Sequence, residues 1–120
     1  MLALTMVSSV AVTTAWAAGN AANGATVFQS QCAMCHGSTP GAAGIGPSLA
    51  GIYDKPAAST AGYRFSSALT SAHLTWDDAT LDKFIASPQA VVPGTKMPYA
   101  GLPNAGQRAD VIAYLASLTK

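Results

Sequence analysis

Apolar residues near the end of the chain recur at the spacing of one helical face. Leu115 follows Val111 by four positions and Ile112 by three, and Leu118 follows Leu115 by three. This spacing is typical of an amphipathic helix. Asn104 followed by Gln107 resembles a capping box, which predicts where this last helix begins.

Polar caps before apolar positions predict two helices in the first two thirds of the chain. Asn20 precedes a segment that runs through Val27 and Phe28 toward two cysteines. Ser66 precedes a shorter segment that reaches Ala72. Asparagine and serine are strong N-caps, so we expect a helix to begin after each of them.

A further helix is predicted after Thr75. The letters TWDD at 75–78 resemble a capping box with Thr75 as the cap. Leu81, Phe84 and Ile85 then follow at helical spacing and are expected to be buried. We expect this helix to end before Pro88, because proline breaks a helix interior.

The remainder of the chain is predicted to form loops. Residues 37–63 are rich in Gly, Pro and Ala, and Gly46 with Pro47 indicates a turn. The chain shows no hairpin signal, no repeat and no internal linker. The pattern therefore predicts a small all-α domain with long helices at its ends and loops that can wrap a cofactor.

Composition narrows the function classes. The 120 residues fit one domain, and with 50% apolar and 9% charged residues the chain is not of the disordered class. A net charge of +1 provides no basic stripe for nucleic acid. With only two cysteines, the chain is not a disulfide-stapled mini-domain.

The N-terminus predicts export. The first eighteen residues carry no charge, and Ala15, Trp16 and Ala17 have the A-x-A form of a signal-peptidase site. We expect a signal peptide at 1–17 and a mature domain at 18–120, located in the periplasm. No Lys or Arg precedes the apolar run, and an uncleaved membrane anchor is the alternative.

The letters CAMCH at 32–36 are the most informative motif. C-x-x-C-H is the attachment pattern of a c-type haem. At this separation the thiols of Cys32 and Cys35 can add across the two vinyl groups of one haem, and His36 can then donate an imidazole nitrogen to the iron. The pattern therefore predicts one covalent haem c.

The motif has three alternative interpretations. A thioredoxin-like redox pair needs a βαβ setting, of which the surrounding pattern gives no sign. A zinc site needs a second pair of ligands, and none follows at the right spacing. The third alternative is a structural cysteine pair beside an incidental histidine.

The second axial ligand has two candidates. Met97 lies in a segment punctuated by Pro and Gly, and Pro98 biases its backbone toward an extended conformation. His73 is the other candidate. Met97 could instead fill a core gap, and His73 could lie in solvent between helices. A soft, neutral thioether favours ferrous iron, so His/Met ligation raises the reduction potential.

These separated motifs resemble the class I c-type cytochromes, and within them the mitochondrial-like soluble cytochromes c of bacteria. The resemblance runs from about Ala21 to Lys120. It rests on motifs in the family order: Gly24, Phe28, CAMCH at 32–36, Gly46-Pro47, Gly62-Tyr63, Trp76, PGTKM at 93–97 and RADVIAYL at 108–115.

The resemblance implies the class I cytochrome c fold, with N- and C-terminal helices packed across each other around one covalently bound haem. Gly24 would let these helices approach near Tyr114, with Phe28 packed beside it. The iron ligands would be His36 and Met97.

The resemblance also implies supporting roles around the haem. The Pro47 carbonyl would accept the other N–H of His36. Tyr63 and Trp76 would donate hydrogen bonds to a haem propionate. Thr95 would hold the same region or support the methionine loop.

The chain also departs from many relatives. Phe84 replaces a tyrosine, Leu69 an asparagine, Lys55 an arginine and Phe65 another tyrosine. These changes remove polar groups from around the haem. A drier pocket disfavours the ferric form, which carries one more positive charge.

The predicted function is single-electron transfer between redox protein partners, by a monomer that binds no nucleic acid, uses no small-molecule substrate and is not an enzyme. With six basic residues, the chain cannot form a strong lysine ring, so we expect an apolar docking face. The alternatives are a haem subunit or tethered arm of a larger complex, and a small haem peroxidase or gas sensor.

Overall fold

The computed structural model describes residues 6–10 and 19–118. The predicted signal-peptide cleavage after Ala17 and the domain start at residue 18 lie outside the described residues. Five helices follow one another: α1 (Ala21–Gln31), α2 (Ser67–Ala72), α3 (Asp78–Ala86), α4 (Pro88–Val91) and α5 (Ala105–Ser117). Within the described part there are two isolated bridges but no strand, so the all-α prediction is confirmed.

The first and last helices begin at the predicted caps. The side chain of Asn20 accepts a hydrogen bond from the backbone N–H of Asn23 at 3.0 Å. Asn104 does the same for Gln107 at 2.9 Å. Each bond satisfies one N–H group that the first helical turn leaves without a partner.

Helices α1 and α5 cross at Gly24. A Cβ at this position would lie 1.9 Å from the backbone oxygen of Asp110 and 2.8 Å from Cβ of Tyr114. Only glycine permits such an approach. Beside the crossing, Phe28 is 1% exposed and its ring centroid lies 5.3 Å from that of Tyr114. The expected packing of the two terminal helices is therefore confirmed.

The predicted cap of α3 is wrong. Asp77, not Thr75, caps this helix, and its side chain accepts from the N–H of Thr80 at 2.8 Å. Thr75 forms an isolated bridge with Pro56, which holds the preceding backbone in an extended conformation. The local capping pattern was overridden by this tertiary pairing.

Helix α3 ends at Ala86, as predicted from Pro88, but the chain then forms one more turn. Pro88 is the first residue of α4, a position that suits its fixed φ and missing N–H. Leu81 and Phe84 are buried as expected, whereas Ile85 is half-buried. The sequence prediction did not include α4.

The core lies between α1, α3 and α5. Its buried side chains are Phe28, Trp76, Leu81, Phe84, Val92, Val111, Ile112 and Leu115. Other apolar side chains pack against this cluster and are only partly buried, among them Cys32, Leu49, Ile52, Leu69, Leu74 and Met97. The described residues include no helix with both the length and the hydropathy needed to cross a membrane.

Candidate haem site

Both cysteines of the attachment motif lie in a tight turn that continues α1. Cys32 is the C-cap of α1, and the N–H of His36 donates to its carbonyl at 2.9 Å. Cys32 and Cys35 are half-buried and form no disulfide. Burial, together with Cys35, raises the pKa of the Cys32 thiol to about 11. A thioredoxin-like pair needs a βαβ setting, whereas these cysteines follow helix α1 and the described residues contain no strand.

The ring of His36 is fixed from two sides. Its Nδ1 lies 2.8 Å from the carbonyl oxygen of Pro47. Because a carbonyl can only accept, Nδ1 carries the proton and Nε2 keeps its lone pair for a metal. Gly46 lies against the ring, where a Cβ would come within 2.5 Å of Cε1. We call residues 32–47 the attachment segment.

The other candidate ligand lies in residues 93–101, which we call the methionine loop. Met97 is half-buried, and its N–H donates to Oγ1 of Thr95 at 3.3 Å. Thr95 therefore supports the backbone of the loop at Met97. By contrast, His73 is exposed and ends α2 in a left-handed conformation, with φ 51°.

The loop is anchored to the helices on both of its flanks. Gln89 of α4 donates to the carbonyl of Thr95 at 3.1 Å and accepts from the N–H of Gly94 at 3.3 Å. At the far end, Gly101 has φ 122°, and a Cβ there would lie 2.1 Å from the carbonyl oxygen of Ala86. These contacts set where the loop begins and ends.

Arg108 was not predicted as part of this support. Its guanidinium donates to the carbonyls of Leu102 and Pro103, each at 2.9 Å, and to Asp82 at 2.8 Å. The arginine therefore fastens the segment after the methionine loop to α3 and α5. An arginine in the first turns of a helix is too common a feature to have indicated this role.

The two predicted propionate donors have other neighbours in the structure. The hydroxyl of Tyr63 donates to the carbonyl of Ile45 at 2.8 Å, so donation to a propionate requires it to exchange partners. Trp76 is 9% exposed and its ring packs 4.9 Å from that of Phe84. Their contact with a haem remains a prediction.

A second unpredicted contact joins the methionine loop to α1. The hydroxyl of Tyr99 donates to Oε1 of Gln31 at 2.9 Å. Burial raises the pKa of the Tyr99 hydroxyl, and the neighbouring Cys32 adds to this effect. Two polar residues 68 positions apart gave no sequence signal of this pairing.

These residues fit a haem. The tautomer of His36 leaves a nitrogen donor, Met97 supplies a soft thioether, and two cysteines that form no disulfide lie next to the histidine. Imidazole and thioether are the ligand pair of iron in cytochromes c. The partly buried apolar side chains around the core match the large apolar surface of the group.

Comparison with known proteins supports the same conclusion. Residues 21–119 match the family model for cytochrome c. A cytochrome c2 of Rhodomicrobium vannielii is 48% identical over 104 residues, which cover 86% of this chain and 82% of the relative. A cytochrome c2 iso-2 of Magnetospirillum fulvum is 49% identical over 87 residues, which cover 72% of this chain and 91% of the relative.

A solved structure agrees with the fold. Cytochrome cH from Methylobacterium extorquens superposes with a TM-score of 0.77 at 40% sequence identity. The match covers 82% of this chain and 99% of that one. The chain belongs to the cytochrome c family, the class I c-type cytochromes, which carry single electrons on one covalently bound haem c.

Proposed function

We propose that this chain carries single electrons with iron bound by Nε2 of His36 and the sulfur of Met97. The observation that carries the proposal is the bond between His36 Nδ1 and the Pro47 carbonyl, 2.8 Å long. It fixes both the tautomer and the plane of the imidazole next to the two cysteines of the attachment motif. Because the imidazole of His36 is already held in one orientation, it loses little conformational freedom when it binds iron.

The haem supplies reversible one-electron chemistry, and the residues around it determine how easily the electron enters. Pro47 makes the imidazole a better donor by accepting its second N–H. Met97 stabilises the ferrous state because a thioether is soft and neutral. Two ligands that stay in place through reduction and oxidation keep the movement of atoms small.

Apolar surroundings favour the ferrous state further. Phe84 is 8% exposed and packs in the core, and Leu69 is half-buried against it. Neither side chain offers a dipole to stabilise the additional charge of ferric iron. We therefore expect a higher potential than in relatives with polar groups at these positions.

The attachment segment exposes two large apolar side chains. Met34 is 90% exposed and Ile45 is 71% exposed. The N–H of Gly46 donates to the carbonyl of Cys35 at 2.8 Å, which brings the backbone around Ile45 next to that around Met34. We infer that donor and acceptor proteins dock here through apolar contact, with Lys96 as a nearby charge.

The proposal includes a location and an assembly state. The chain works in the periplasm as a monomer after removal of residues 1–17, and turns over no small-molecule substrate. N-terminal sequencing of the exported protein is expected to begin at Ala18. A mature chain that begins at Met1 would instead support the tethered-arm alternative.

Redox titration of the purified holoprotein tests the function. We expect one haem per chain and a reversible one-electron transition, with a slope of about 59 mV per tenfold change in the oxidised-to-reduced ratio. The ferrous protein should not turn over hydrogen peroxide. Free, alkylatable cysteines in the exported protein, or rapid peroxide turnover, would contradict the proposal.

A further inference from the structure

The methionine loop is held mainly from one side. Gln89 in α4 binds the backbone at Gly94 and Thr95. At the other end, the N–H of Leu102 donates to the carbonyl of Ile85 in α3 at 2.9 Å. These contacts all come from α3, α4 and the loop itself, so they fix the flanks of the loop rather than the face toward the attachment segment.

One hydrogen bond among residues 19–118 joins the methionine loop to α1. Tyr99, two positions after Met97, donates through its hydroxyl to Oε1 of Gln31 at 2.9 Å. Gln31 is the last residue of α1 and directly precedes Cys32. The bond therefore links the segment that carries one predicted iron ligand to the segment that carries the other.

We propose that the hydrogen bond between Tyr99 and Gln31 is a latch that keeps the methionine loop closed across the haem site. In this role Tyr99 is a positioning residue for Met97. The inference rests on the proposed function, since it requires Met97 to be the sixth ligand. It adds a hydrogen bond that sets how often Met97 leaves the iron.

The two partners of the latch differ in how firmly they are held. Gln31 ends a helix that is fixed against α5 at the Gly24 crossing, where no Cβ would fit. Tyr99 lies in a loop with a glycine in a left-handed conformation at each flank, Gly94 with φ 87° and Gly101 with φ 122°. Glycines in such positions allow the backbone to turn about them. The latch therefore connects a helix end that is fixed by packing to the middle of a loop whose other hydrogen bonds lie at its flanks.

The strength of the latch is limited by its exposure. Gln31 is exposed and Tyr99 is half-buried, so water competes for both groups. A neutral hydrogen bond of this kind changes an equilibrium by about 2-fold to 10-fold. That is enough to set the fraction of time the loop is open without deciding whether the protein folds.

Imidazole provides a direct probe of loop opening. It binds ferric iron only after Met97 has left, so its dissociation constant includes the opening equilibrium. At high imidazole concentration the binding rate reaches the opening rate of the loop. Both quantities can be measured on the complete ferric holoprotein by absorption.

The test compares Tyr99→Phe and Gln31→Ala with the double variant. We expect each single variant to bind imidazole about 2-fold to 10-fold more tightly than the wild type, because the closed state has lost its hydrogen bond. The double variant should show no further gain, since both changes remove the same bond. Gln31→Glu retains an acceptor oxygen and should restore affinity close to that of the wild type.

Tyr53→Phe is the matched control. It removes a tyrosine hydroxyl that donates to Asp78 at 2.9 Å, away from the methionine loop. Its imidazole affinity should equal that of the wild type. Unchanged affinity in the two single variants, or additive effects in the double variant, would overturn the latch.

Failure of the latch is distinguishable from failure of the proposed ligation. Sulfur bound to ferric haem gives a weak absorption band in the near red. If the wild-type ferric protein has this band and the variants bind imidazole as the wild type does, only the latch is wrong. If the band is missing and imidazole binds without a limiting opening rate, Met97 is not the ligand. In that case both proposals are overturned.

Discussion

His36 and Met97 differ in how the surrounding chain holds them. His36 is fixed within its own segment, by Pro47 eleven positions away and by Gly46 against its ring. The methionine loop is fixed by separate elements, namely α3, α4 and, through Tyr99, α1. The histidine side is therefore a local structure, whereas the methionine side exists only when the whole fold is assembled.

This difference has a functional consequence. A ligand held by its own segment stays in place through each electron transfer, and the covalent attachment of the neighbouring cysteines reinforces it. A ligand held by tertiary hydrogen bonds of modest strength is the one that exchanges. We therefore expect changes on the histidine side to affect folding, and changes on the methionine side to affect ligand exchange.

The largest effect is expected from Gly46→Ala. The new Cβ would lie 2.5 Å from Cε1 of His36, so either the ring or the backbone must shift, which disturbs the hydrogen bond between Nδ1 and Pro47. We expect the free energy of unfolding of the holoprotein to fall by about 1–3 kcal/mol, as for other overpacked sites. Chemical denaturation followed by absorption measures this change.

Gly44→Ala is the control in the same turn. Its Cβ would lie 3.0 Å from the Cys35 oxygen, and no atom of the His36 ring is among its nearest contacts. It should lower the free energy of unfolding much less than Gly46→Ala. Equal effects of the two variants would show that the ring is not confined as described.

A smaller effect is expected from Gln89→Ala on the methionine side. This change removes two hydrogen bonds to the loop, at Gly94 and at Thr95. We expect imidazole to bind the ferric protein about 2-fold to 10-fold more tightly, with little change in the unfolding midpoint. Gln107→Ala, at an exposed position of α5, should leave both quantities unchanged. A large fall in the free energy of unfolding of Gln89→Ala would contradict the expectation that changes on the methionine side affect ligand exchange rather than folding.

Polarity near the iron provides a third test. Phe84→Tyr and Leu69→Asn each add a polar group to a region that is apolar in this chain. If the new dipole stabilises ferric iron by about 1 kcal/mol, the potential falls by about 40 mV. Redox titration of each variant measures the shift. An unchanged or higher potential would contradict the account of a dry pocket.

The smallest expected effect is that of ionic strength on the electron-transfer rate. The chain has six basic residues, and the exposed side chains at the attachment segment include the apolar Met34 and Ile45. Raising ionic strength from about 0.01 M to 0.1 M shortens the Debye length from about 30 Å to 10 Å. We expect electron-transfer rates with a physiological partner to change less than about threefold over this range. A steep fall in the rate would show that docking is electrostatic.

Local signals in the sequence predicted most of the helices. Asn20, Ser66 and Asn104 cap the helices that they were expected to cap. The same reasoning failed at Thr75, because its bridge to Pro56 is a contact between distant residues. A helix cap can be predicted from the sequence when no contact with a distant residue competes for the backbone around it.

The histidine side and the methionine side of the site also differ in how far the sequence predicts them. The attachment motif places its cysteines and histidine within five positions, so the sequence shows their arrangement directly. The hydrogen bonds of Tyr99 to Gln31 and of Arg108 to Asp82 join separate elements. Side-chain pairs of this kind follow from the packed fold, and no spacing along the chain indicates them.

The absorption spectrum of the ferric holoprotein tests the central claim most directly. Sulfur bound to ferric haem gives a weak band in the near red. We predict this band in the wild type, its loss in Met97→Ala, and its retention in Met34→Ala and His73→Ala. A wild type without the band, or a band that survives in Met97→Ala, would contradict His36 and Met97 as the ligand pair.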